Sequence, residues 1–196
     1  MDPSSVATTD EDSPVLLSAA QSRVITAAMD LFARFGVGGT SLQMIADEIG
    51  VTKAAVYHQY KSKDEIILAA AESELGRLVA VIEVAENESS PKRARDSLIV
   101  GIVDLAVDRG RSASTILSDP VIVGFFADHD TFRDAMHRLR QILVGDDSGP
   151  EARVRTAMLI AAISGAVMHP FVADLDDELV RTELLRLARR FLSLPV

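Results

Sequence analysis

Three lysines, Lys53, Lys61 and Lys63, share a fifteen-residue window with His58, and no carboxylate lies between Glu48 and Asp64. Ammonium groups unopposed by acids attract phosphate oxygens, because a charge several ångströms away is felt through short-range local fields. The same window holds both tyrosines of the chain, Tyr57 and Tyr60, together with the hydroxyl of Thr52. Hydroxyl, ammonium, phenol and imidazole groups on one short segment suit contact with a nucleic-acid backbone. Other chemistries find less support. The chain has no cysteine, so disulfides and thiolate metal sites are excluded. Its four histidines, His58, His129, His137 and His169, never fall at metal-ligand spacing. Its serines lack a nucleophile elbow, and no glycine loop follows a strand to cradle phosphate. The reading is therefore not an enzyme, with no cofactor and no metal.

The net charge of −9 argues against a polyanionic partner until its distribution is considered. Residues 1–14 carry −4, residues 15–63 carry +2, and residues 64–196 carry −7. The acidic start, MDPSSVATTDEDSP, has neither a basic nor an apolar region, so it reads as a polar tail over 1–15 rather than a signal peptide. The apolar run from Ala157 to Val167 is too short to span a bilayer. No membrane partner is expected, and a cytoplasmic location fits.

The elements that position the cationic window are all helical, since no segment alternates with period 2. Ser18-Ala-Ala-Gln21 forms a capping box for a first helix, with Val24, Ala27, Ala28, Leu31, Phe32 and Phe35 on one buried stripe. Gly36, Gly38 and Gly39 end it. Thr40-Ser-Leu-Gln43 is a second capping box, opening a short helix with Leu42, Ile45, Ala46 and Ile49 inward. Gly50 breaks this helix and Val51 returns to the core. Thr52 then caps a third helix, Lys53 to Gln59, with Val56 and Tyr60 inward and Thr52, Lys53, Ala55, Tyr57 and His58 outward. Ser62-Lys-Asp-Glu65 is a third box at the head of a long helix, with Ile66, Ile67, Ala70, Leu75, Leu78, Val79 and Ile82 inward. Further helices are predicted over 91–109, irregularly over 112–118, in an interrupted stretch over 120–144, over 150–169 and over 176–193.

Two short helices joined by a glycine turn and braced by a longer one make a helix-turn-helix. The stretch from Val24 to Glu65, and above all Gly50-Val-Thr-Lys-Ala-Ala-Val-Tyr-His-Gln-Tyr-Lys-Ser-Lys-Asp-Glu65, resembles the DNA-binding domain of the TetR family of bacterial regulators. The resemblance covers about a quarter of the chain. It implies an all-α fold of about nine helices: a three-helix DNA-binding domain over 16–63, then a helical effector-binding and dimerisation domain over 64–196. It implies that Thr40 and Ser41 contact a phosphate at the head of the second helix. Thr52, Lys53, Ala54 and Ala55 would face the groove, Tyr57 and His58 would touch backbone or base edges, and Lys63 would clamp a phosphate. Tyr60 stands where the family commonly has Phe, and Ala54 where Gly is frequent.

The remaining expectations are partners. Small residues Ala157, Ala161, Ser164 and Gly165 on one helix, with Val180, Leu184, Leu187 and Phe191 on the last, form a homodimer face that the family pairs as a four-helix bundle. An effector, largely apolar and neutral or weakly anionic, would be lined by Leu75, Leu78, Phe125, Phe126, Met136, His137 and Met168. Its binding would tilt the long helix and release a near-palindromic operator. The alternative is a DNA-bound regulator that recruits another protein and has no small-molecule inducer.

Overall fold

The computed structural model describes residues 17–117, 129–145 and 149–193. Among these residues every regular element is helical: α1 (Ala19–Gly39), α2 (Leu42–Glu48), α3 (Lys53–Gln59), α4 (Lys63–Glu86), α5 (Pro91–Leu117), α6 (Asp130–Val144), α7 (Pro150–Ala166), a 3-10 turn (Pro170–Val172) and α8 (Asp177–Phe191). None is long and apolar enough to cross a membrane.

The start of α1 follows the sequence pattern closely. Ser18 Oγ accepts from the Gln21 amide at 3.2 Å and Gln21 Oε1 accepts from the Ser18 amide at 2.9 Å, so two orphan donors are satisfied reciprocally. Val24, Ala27, Ala28, Leu31 and Phe32 are buried, with Ile25 and Met29 beside them. Phe35 departs from the expected stripe. It is half-exposed, with the Arg34 guanidinium over its ring at 4.9 Å. The reason is one residue further on: Gly36 takes φ 74° and ψ 160°, which ends the helical register before the short turn Val37–Gly39.

The second capping box does not form as read. Ser41, not Thr40, is the N-cap of α2, accepting from the Met44 amide at 3.2 Å. Thr40 is buried, and its hydroxyl donates back to the Gly36 carbonyl at 2.9 Å. The third box forms with its return bond displaced. Ser62 Oγ accepts from the Glu65 amide at 3.1 Å, while Glu65 Oε2 accepts from the Lys61 amide at 2.6 Å.

Buried side chains group into two clusters that divide inside α4. Ile66, Ile67, Ala70 and Ala71 belong with α1–α3, whereas Leu75, Ile82 and Ala85 belong with α5–α8. The first two turns of α4 are thus part of the N-terminal core. Against α4 runs α5, continuous to Leu117 where the sequence suggested a stop near 109 and a separate irregular helix. Gly101 permits the close approach: a Cβ there would lie 2.4 Å from Val81 Cγ1. Ion pairs register the outer helices. Arg189 grips Asp96 through two bonds of 2.7 and 3.1 Å, and Arg181 reaches Asp104 and Asp108, fixing α8 along α5. Arg138 of α6 holds Glu86 of α4 at 3.0 and 2.6 Å. The interrupted stretch predicted over 120–144 is helical from Asp130, and α7 stops at Ala166, three residues early, where Val167 to His169 lead into the proline turn.

Candidate nucleic-acid interface

The geometry of α3 begins with Val56, whose complete burial pins one side of a seven-residue helix to α1 and α2. Thr52 caps it, accepting from the Ala55 amide at 3.2 Å. With Val56 inward and Tyr60 buried at the C-cap, Thr52, Lys53, Ala54, Ala55, Tyr57 and His58 are all left exposed. A large aromatic ring half in water beside two alanines and an ammonium is unusual on a surface that only needs to be soluble. It suits a helix that enters a groove, because the alanines allow close approach and the longer side chains reach outward.

Two of the three lysines are engaged within the protein. Lys61 Nζ donates to the Tyr57 carbonyl at 3.0 Å and stands 4.9 Å from the Tyr57 ring centroid. This holds the ring by a cation–π contact and satisfies a carbonyl at the end of α3. Lys63 Nζ, half-buried, donates to the Val37 carbonyl at 2.8 Å, joining the head of α4 to the end of α1. The ammonium expected to clamp a phosphate thus faces the α1–α2 corner in this structure. Thr40 is likewise removed from the contact surface by burial, and Ser41 remains exposed beside it. Arg23, not singled out from sequence, donates to the Ile49 carbonyl at 3.1 Å and braces the end of α2. Its sequence signal is weak, because it is one of two exposed cations on the first helix, Arg34 being the other.

Tyr60 packs as its position suggests, but its hydroxyl is buried without a hydrogen-bond partner. Burial, and then the charge of Glu72, push its phenol above the usual tyrosine range.

Residues 24–70, which hold α2, α3 and the head of α4, match the family described as bacterial regulatory proteins, tetR family. That region is a DNA-binding domain of the tetR type. Relatives match part of the chain. The HTH-type regulator YerO of Bacillus subtilis is 33% identical over 76 residues, 39% of this chain and 26% of that protein. YezE of the same organism is 31% identical over 100 residues, 50% of this chain and 52% of that one. RutR of Escherichia coli is 30% identical over 78 residues, 40% of this chain and 37% of that one. The chain thus matches about half the length of these relatives or less. The fold likeness extends further. The TetR-family regulator PfmR of Thermus thermophilus superposes with a TM-score of 0.67 at 24% identity, covering 86% of this chain and 97% of that one. The ketosteroid transcriptional regulator KstR2 of Mycobacterium tuberculosis does so at 0.66 and 16%, covering 88% and 94%.

In the TetR fold the last two helices are α7 and α8, and both carry apolar side chains in water. Of the residues expected there, Ala157, Ala161, Gly165, Leu187 and Phe191 are exposed, and Ser164 and Leu184 are half-buried. Val180 is the exception: it is buried in the chain's own core. Pattern reading missed Val154 and Met158 on α7 and Leu179 on α8, all about half-exposed. They share the periodicity of the stripes, but burial within one chain would have suited them equally well.

The expected effector lining is not gathered in one place. Leu75 is buried in the second core cluster, with Leu78 and Met136 packed against it. His137 and Met168 are exposed, so neither lines an interior, and Phe125 and Phe126 lie outside the described residues. A cavity of about 200 Å³ lies elsewhere, lined by Val107, Val167, Val172, Ala173, Leu175, Asp177 and Val180.

Proposed function

We propose that the protein is a sequence-specific DNA-binding transcriptional regulator, acting as a homodimer in the cytoplasm. The observation that carries this reading is α3. Its inner residue is wholly buried, and its outer face presents Thr52, Lys53, Ala54, Ala55, Tyr57 and His58, with Ser41 exposed at the neighbouring corner. The division of labour follows from chemistry: Ser41, Thr52 and Lys53 for phosphates, Ala54, Ala55, Tyr57 and His58 for the groove. Residues 16–63 with the first turns of α4 form the DNA-binding unit, and the rest forms the effector and dimerisation unit. The exposed apolar side chains of α7 and α8 supply the two-fold interface, which implies a near-palindromic operator.

Within this reading the protein is a repressor released by a small, largely apolar molecule. Support comes from the cavity between α5, the turn that follows α7 and the head of α8, whose lining is aliphatic apart from Asp177, and from a fold neighbour whose name ties it to ketosteroids. At about 200 Å³ the cavity is below the ~300 Å³ of ordinary ligand pockets, so occupancy parts the surrounding helices and thereby selects a second state. Genomic footprinting of the protein on its own chromosome tests the reading. It returns one or more near-palindromic sites, and titrating the protein–site complex with substrates and products of the adjacent genes lowers affinity 5- to 150-fold. Absence of any protected site refutes the DNA reading. Protected sites that no such compound releases favour a regulator acting through protein recruitment.

A further inference from the structure

We infer that Glu183 and Arg186, an ion pair set amid the exposed apolar side chains of α8, select a second copy of this chain as the partner of that face, each arginine reaching the partner's Glu183 across the two-fold axis; this rests on the homodimer reading above. The inward side of α8 is accounted for within the chain. Val180 and Ala188 are buried, and Arg181 and Arg189 are tied to carboxylates of α5. The outward side is different. Leu179, Glu183, Leu187 and Phe191 follow at four-residue steps, with Arg186 three residues from Glu183, and all five are about half-exposed. With Val154 and Met158 exposed on α7, these apolar side chains form a patch that contact with water alone does not favour.

The ion pair has bonding capacity to spare. Arg186 donates from Nε at 3.0 Å and from Nη2 to a single oxygen, Oε2 of Glu183, which leaves Nη1 and Oε1 without a partner among the described residues. A guanidinium and a carboxylate each make further charge-assisted bonds when a partner is offered. Covering the pair without one is costly, because both charges lose water. A second copy's α7 offers none, since no charged side chain occurs from Thr156 to Met168. A second copy's α8 does. In an isologous contact residue i meets j and j meets i. Where the two copies of α8 cross antiparallel, Glu183 stands opposite the partner's Arg186, and Arg186 opposite the partner's Glu183. That register centres the contact beside Leu185, the midpoint of the stripe from Leu179 to Phe191, so the apolar ends are covered together with the ions. A chain with another charge order at these two positions brings like charge against like and is rejected, as charges flanking a coiled-coil seam reject wrong pairs.

Mixing two charge-altered full chains tests this. Glu183→Arg leaves two cations at these positions, and Arg186→Glu leaves two anions. Alone, each variant dimerises at least about 10-fold more weakly than the unaltered chain. Together they pair with each other, and native mass spectrometry finds more than about nine-tenths of dimers mixed, against roughly one-half for random pairing. Repulsion inside one helix cannot give that preference, because each chain carries it equally into like and mixed dimers. Random pairing overturns the proposal. Should either variant fail to fold, the neutral chain Glu183→Gln with Arg186→Gln decides. Mixed with the unaltered chain it gives about one-quarter mixed dimers or fewer, because a mixed dimer leaves charges unpaired, and about one-half overturns the proposal. If the unaltered chain is monomeric at every concentration, the homodimer reading fails and the inference falls with it; dimers that pair at random strike the inference alone.

Discussion

Tyr60→Phe should stabilise the protein. Tyr60 is 6% exposed, its hydroxyl has no hydrogen-bond partner, and burial raises its pKa. A buried polar group left unsatisfied costs about 1–3 kcal/mol of desolvation, which the variant recovers. Against this stands the void left by one oxygen, roughly 10–15 Å³, which at about 24 cal/mol per Å³ costs roughly 0.3 kcal/mol. The net gain is about 1 kcal/mol, or about 2–4 °C in Tm for a chain of this size. Linkage adds a second signature. The folded phenol has a pKa above its unfolded value near ~10, so the stability linked to its protonation is intact below that value and is lost as pH rises through the folded value. The advantage of phenylalanine should therefore widen above about pH 10. Urea unfolding at pH 7.5 and 10.5 measures both. A variant less stable by more than about 0.5 kcal/mol at pH 7.5 would refute the reasoning, because it would mean the hydroxyl has a partner, such as a water shared with Glu72.

Three other perturbations test the body of the molecule. Met158→Glu with Leu187→Glu places carboxylates on the exposed faces of α7 and α8; sedimentation should show folded monomers, and an unchanged dimer removes these faces from the interface. Gly101→Ala gains about 1 kcal/mol of helix propensity but forces the Val81 contact of 2.4 Å, costing about 1–3 kcal/mol, so thermal unfolding should show net loss. Glu86 has its pKa held low by the hydrogen bond from Arg138, so the tie between α4 and α6 is complete above about pH 4.3 and is lost as pH falls through the folded value. The pair is partly exposed, which limits its worth to under about 1 kcal/mol, and Glu86→Gln should flatten the acid limb of the stability profile by that amount.

What the sequence made legible was whatever is set by neighbours along the chain. The Ser18–Gln21 box and the caps at Thr52 and Ser62 depend on three-residue spacing, and the burial of Val56 and Ile66 depends on helical period; all formed. What failed depended on distant partners. Thr40 carries the capping-box spacing, yet its hydroxyl is drawn backwards to the carbonyl of Gly36, a residue of positive φ, and Ser41 caps the helix instead. Lys63 reads as a surface cation until its partner 26 residues away is known. The continuity of α5 past Gly110 was hidden because glycine usually stops a helix, whereas here the helix runs on to Leu117. Val180 and Val154 follow the same apolar period, yet one is core and the other faces water. Periodicity marks an apolar face and is silent on which molecule covers it.

The commitment of Lys61 and Lys63 to internal carbonyls also bears on how an acidic protein holds DNA. In the proposed dimer, Lys53 on the two recognition helices would contribute a salt slope of roughly −1.8, far below that of proteins with 6–10 phosphate contacts. The body beyond residue 63 carries −7 and repels the duplex wherever it comes within the ~8 Å screening length. On that reading one half-site offers little electrostatic hold, and affinity comes from groove contacts multiplied by simultaneous engagement of two sites. Linking them through a dimer supplies an effective concentration that raises avidity by 10²–10⁴ where the spacing fits, and by nothing where it does not. A duplex with one half-site scrambled, or with five base pairs inserted between half-sites to turn them to opposite faces, should bind at least about 100-fold more weakly at unchanged salt. Equal affinity for the intact and split duplexes, measured by fluorescence anisotropy, would show that a single recognition helix suffices, and the dependence on two-fold geometry would fall.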